Sequence, residues 1–135
     1  MRIALAPLVV LALTAAGCGA QQESSTDRFQ GAEAQVAQVV EDLQSAGEKG
    51  DAEQICNEIL ARALVDQIKA AGADCASEME DAIADADDYD LEVRDVTVTG
   101  NTARAEVRQS DGGNVRTFEF AREGNRWRAT ALGGR

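Results

Sequence analysis

The chain contains no histidine, one proline and only five aromatic side chains in 135 residues. Without histidine, Ser-His-Asp triads, Cys-His pairs and imidazole acid–base chemistry are all excluded. Scarce aromatics leave Phe29, Tyr89, Phe118, Phe120 and Trp127 as the only side chains of large volume, because many of the apolar residues are alanine. Such a core is thin, and a covalent cross-link would support it. Positive charge is also in short supply: 13 Lys and Arg stand against 24 Asp and Glu, a net charge of −11. A surface this acidic is repelled by nucleic acid and by anionic head groups, so binding to either through the folded domain is not expected. The deficit is uneven. Residues 18–90 carry 18 acidic against 4 basic side chains, whereas residues 91–135 carry 6 against 8.

What is present begins with an address. Arg2 supplies a positive start, an apolar run follows from Ile3 to Ala12, and the small residues Ala15, Ala16 and Gly17 lead to Cys18. The run is too short to span a bilayer, and small residues before a cut site mark a cleavable signal peptide. Ala-Ala-Gly-Cys resembles the lipobox of bacterial lipoproteins, with Ala15 where a leucine is usual. That resemblance implies cleavage after residue 17 and a diacylglyceryl group on Cys18. Two acyl chains suffice for stable anchoring on the outer face of the cell membrane. The alternative is an ordinary secretory signal cut near Ala20. Residues 18–28, polar and without periodicity, read as a flexible tether. Residues 29–135 then hold one small domain, since the 118 residues left after cleavage have no room for a second.

Within the domain, Phe29, Ala32, Val36, Val39, Val40 and Leu43 recur at helical spacing, predicting a helix over 29–46 that Gly47 and Gly50 stop. Asp51 with Gln54 three residues later has capping-box form and opens a second helix near Ala52, with Ile55, Cys56, Ile59 and Leu60 inward. Leu64, Val65 and Ile68 continue a helical segment to Gly72. Asp74 caps a last short helix facing inward through Cys75, Met79 and Ile83. From Leu91 the period becomes two. Leu91 and Val93, then Val96 and Val98, are offset by one residue, which places a bulge near Arg94 and Asp95. Turns at Gly100-Asn101, 111–114 and 123–125 separate strands carrying Ala103, Ala105 and Val107, then Phe118 and Phe120, then Trp127, Ala129 and Ala131. Helices first and an antiparallel four-stranded meander afterwards define an α+β fold with the helices on one sheet face.

Two stretches carry a family likeness. Ala-Gly-Glu-Lys-Gly-Asp-Ala-Glu-Gln-Ile-Cys, 46–56, is a helix–Gly-Asp–helix opening, and Phe-Glu-Phe-Ala-Arg-Glu-Gly-Asn-Arg-Trp-Arg, 118–128, is a hairpin with Trp just after a charged glycine turn. Together with the element order they resemble the nuclear-transport-factor-2-like superfamily (cystatin-like, SnoaL-type), over about residues 29–132. The resemblance extends to small actinobacterial lipoproteins, often with the same cysteine pair. It implies a curved four-stranded sheet rolled around helices into a cone. Neither stretch is catalytic. Ketosteroid isomerases of this fold use an Asp base with Tyr and Asp donors, but Tyr89, the only tyrosine, falls in an acidic loop and does not match that pattern.

Once Cys18 is acylated, Cys56 and Cys75 remain, and outside the cytoplasm such a pair forms a disulfide. A redox pair or a metal site competes weakly, lacking Cys-x-x-Cys and histidine. Asp85, Asp87, Asp88 and Asp90, after Glu80 and Asp81, invite a calcium reading. They lack the spaced glycine and glutamate of an EF-hand loop, so a solvated connector is favoured. Arg104, Arg108, Arg126 and Arg128 fall opposite the apolar strand positions, either as a basic stripe for an acidic partner or, favoured here, as a solvated face interleaved with Glu106 and Glu119. No catalytic residues, metal or cofactor are expected. The leading expectation is a non-catalytic binding domain taking an apolar small ligand or an envelope protein. Phe118, Phe120, Trp127, Val36, Val40 and Ile59 would line either a pocket or a filled core. A histidine-independent isomerase or dehydratase in the same cone is the alternative.

Overall fold

The structure is a computed structural model that describes residues 25–86, 88–109 and 112–133. The signal segment, Cys18 and most of the expected tether lie outside the described residues, as does Asp87. Four helices are followed by a four-stranded antiparallel open sheet in the order β1-β2-β3-β4. The fold is α+β. No described helix is long and apolar enough to cross a membrane.

The last four residues of the expected tether form a 3-10 turn, Ser25–Arg28. Arg28 Nη2 donates to the Val93 carbonyl at 2.6 Å, and the Thr26 N–H donates to Glu41 Oε1 at 3.2 Å. Helix α1, Ala32–Lys49, follows and buries Val36, Ala37 and Val40 against β1, β2 and β4. Contrary to the sequence reading, Gly47 does not stop it. The helix runs one turn further, to Gly50, whose φ of 70° suits glycine and whose N–H reaches the carbonyls of Ala46 and Gly47.

Asp51 caps the next helix, accepting from the Gln54 N–H at 2.9 Å. Helix α2, Ala52–Gln54, passes directly into a π-helical turn, Ile55–Ile59. Leu60 and Ala61 then leave the helix and flank β4, with Leu60 bridging Ala129 and the Ala61 N–H donating to the Ala129 carbonyl at 2.8 Å. Helix α3, Arg62–Ala70, ends before Gly72. Helix α4, Cys75–Asp85, is capped by Asp74, which accepts from the Ser77 N–H at 3.1 Å.

Strands β1 (Leu91–Thr99), β2 (Thr102–Gln109), β3 (Val115–Glu123) and β4 (Arg126–Leu132) pair in sequence order. The register slips between Val93 and Asp95, where the change of phase predicted a bulge. A second slip was not foreseen. Between Glu119 and Phe120 the β3–β4 pairing shifts, so Phe120 faces Ala129, Glu119 faces Ala131 and Phe118 faces Leu132. Ala131 therefore shares the outer face with Glu119, and Leu132 packs inward in its place.

The inner face is small-featured. Ala103, Ala105 and Ala129 sit among Val93, Val96 and Val107, and this alanine-rich floor lets α1 lie close to the sheet. Phe118, Phe120 and Trp127 supply the bulk. Cys56 and Cys75 form a disulfide, with Cα atoms 6.1 Å apart, joining the π turn to the start of α4.

Candidate functional site

The six residues expected to line a pocket do converge. Val36, Val40, Ile59, Phe118, Phe120 and Trp127 belong to one core cluster and are each 7% exposed or less. They pack against one another, and Ile59 and Trp127 also border a more polar surface recess with Gln38, Asp42 and Glu58. Trp127 lies at the hairpin end of the sheet, where the Arg122 guanidinium carbon stands 5.1 Å from its ring centroid. Its indole Nε1 is buried without a partner.

The cavity lies at the other end, where β1 and β3 begin and β2 and β4 finish. It is open to solvent at its mouth and has a volume of about 190 Å³. Of the six, only Phe118 reaches it. Leu43 and Gly47, four apart on α1, form one wall, and Met79 and Ile83, four apart on α4, form another. Ile55 closes the space from the π turn, while Leu91, Val107, Phe118 and Leu132 form the sheet side. The inward turn of Leu132 thus completes the site.

Tyr89, read from the sequence as part of an acidic connector, is a wall of this cavity. Its ring packs on Gly47, and its hydroxyl donates to the Ile83 carbonyl, tying the connector to both helices. Gln44 Oε1 accepts from the Leu91 N–H at 3.0 Å and secures the point where the connector becomes strand. Polar groups gather at the mouth: Asp88 from the connector, Gln109 from the end of β2 and Arg116 from the start of β3. Arg116 shares strand parity with Phe118 and Phe120, which was the available signal for its position, although the sequence reading turned to other arginines.

Two of those other arginines, Arg104 and Arg128, have structural partners. Arg104 pairs with Glu119 at 3.0 Å on the outer face. Arg128 donates to the Asn57 carbonyl at 2.7 Å and approaches Glu123, joining β4 to the π turn. Neither Arg108 nor Arg126 forms an ion pair among the described residues, and the Arg108 Nε is buried without a partner. Of the acidic run, Asp88 Oδ1 accepts from the Asp90 N–H at 2.7 Å. Among the described residues no group of three or more His, Cys, Asp or Glu side chains is placed to hold a metal.

Compared with known proteins, the chain matches no family model, no curated protein and no solved structure.

Proposed function

We propose that this protein is an exported lipoprotein, held on the outer face of the cell membrane through Cys18, whose nuclear-transport-factor-2-like domain binds a small apolar ligand without transforming it. The apolar cavity carries the reading. A dry cavity of roughly 150 Å³ lined by Leu, Ile and Phe is known to admit benzene, and this one, open at a polar mouth, is about 190 Å³ with mainly apolar walls. The helices-then-meander order and the cavity between helices and sheet support the family assignment. The Ala-Ala-Gly-Cys sequence and the polar residues after it support the anchor.

The alternative, a histidine-independent isomerase or dehydratase, draws on Asp88 and Tyr89 beside the cavity. It ranks second because the Tyr89 hydroxyl is spent on a backbone carbonyl and Asp88 is exposed at the rim. A general base works best partly withdrawn from water, where its affinity for a proton rises.

Thermal unfolding with toluene, indole and hexanol tests the binding reading. At least one should raise the melting temperature of the wild-type protein by several degrees. The same compound should leave an Ile83→Trp variant unmoved, its cavity being filled. If none raises the melting temperature, the small-ligand reading falls and an envelope protein becomes the partner to seek. Trp127 emission is a poor reporter here, since the core separates it from the cavity.

A further inference from the structure

The cavity mouth presents two opposite charges that do not neutralise each other. Asp88 and Arg116 both line it, one from the α4–β1 connector and one from the start of β3. Among the described residues neither forms an ion pair, as is also true of Arg108 and Arg126. Asp88 spends one oxygen on the Asp90 N–H, and the second accepts no hydrogen bond among the described residues. The polar surface continues past them into an adjoining recess lined by Asp85, Gln109 and Asn114. Beneath it the walls are Leu, Ile, Met and Phe.

We propose, building on the reading of this cavity as a ligand site, that its ligand is a free α-amino acid with a large apolar side chain, of the leucine or phenylalanine kind. The side chain would fill the apolar space. Arg116 would take the carboxylate through its planar fork, which matches carboxylate geometry. Asp88 would take the ammonium. A purely apolar ligand uses neither charge, and a fatty acid uses only Arg116. An α-amino acid places both complementary charges on one carbon, at the polar end of an apolar body.

Isothermal titration on the processed full-length protein tests this, using L-leucine, L-phenylalanine, glycine and two singly charged leucine analogues, 4-methylpentanoate and isoamylamine. Leucine or phenylalanine should bind saturably, about tenfold or more tighter than either analogue, since each charged hydrogen bond is worth that much. Glycine should not bind. Arg116→Met should weaken leucine about tenfold and leave isoamylamine unchanged, while Asp88→Asn should weaken leucine and leave 4-methylpentanoate unchanged. Both side chains are exposed, so both variants should fold. If the analogues bind as tightly as leucine, the amino-acid inference is overturned while the apolar cavity stands. If no amino acid, analogue or uncharged apolar probe binds, the ligand-site reading fails, and this inference with it.

Discussion

A Cβ added to Gly47 would stand 2.9 Å from Cδ1 of Tyr89, closer than such atoms approach. The glycine sits inside α1, where it costs about 1 kcal/mol relative to alanine in helix propensity. What it gains is a seat for the Tyr89 ring, whose hydroxyl is fixed on the Ile83 carbonyl, so the ring cannot simply swing away.

This pairing makes a sign-reversal prediction. In the wild type, Gly47→Ala should be neutral or destabilising, because displacing the ring offsets the propensity gain. In a Tyr89→Ala background the same change should stabilise by about 1 kcal/mol. Urea unfolding of the four proteins measures the cycle. Additive effects would mean that Tyr89 does not rest on Gly47.

The shift in β4 gives a second prediction. Leu132→Ala should cost about 1–2 kcal/mol, less than a fully buried leucine because the site is half-buried. Ala131→Thr, on the outer face opposite Glu119, should stay within about 0.5 kcal/mol. Simple alternation from Trp127 requires the reverse ranking, since it would bury the threonine hydroxyl without a partner and leave Leu132 outside. Melting temperatures of the two variants decide between the registers.

These two features also mark where the sequence stopped being legible. The caps at Asp51 and Asp74 were readable because a capping carboxylate acts on a backbone N–H three residues away. The β1 bulge was readable because two apolar pairs changed phase across Arg94. In β4, by contrast, Ala129, Ala131 and Leu132 are all apolar, so a slip leaves no mark on the pattern. Gly47 looked like a helix stop because its real reason, Tyr89, is far along the chain. The cavity was misplaced for a related cause. Inward periodicity identifies the residues facing the interior, but how far alanines let α1 settle on the sheet decides which part fills. Val36, Val40, Phe120 and Trp127 fill theirs, whereas Gly47 and the spacing of α4 leave the other end open.

The anchor has its own test. Cys18→Ala should abolish metabolic labelling with palmitate and move the protein from the membrane fraction to the aqueous phase on detergent partitioning. Residues 18–28 offer no apolar face to hold the domain on lipid, and the net charge of −11 opposes adsorption to anionic head groups. Retention of the variant in the detergent phase would place the attachment elsewhere.

The disulfide connects stability to the cavity, and the two effects can be separated. Closing a loop with sequence separation 19 is worth roughly 3 kcal/mol in the chain-entropy model. For a domain with so few large side chains, that is a substantial share of a total near 5–15 kcal/mol. Helix α4 packs chiefly on α2, its π turn and α3, and it carries Met79 and Ile83, one wall of the cavity. Cys75 is buried at the first position of this helix, so the bond holds the wall at one end while Tyr89 holds it at the other. A Cys56→Ser, Cys75→Ser double variant should therefore unfold at lower urea. While still folded, it should exchange amide hydrogens over 75–86 faster than wild type and lose ligand-induced stabilisation. Protection in β2 and β3 should fall only by the global stability loss, because their ladder does not involve α4. If exchange over 75–86 rises no more than in the strands, the bond acts on the unfolded chain alone and does not hold the wall.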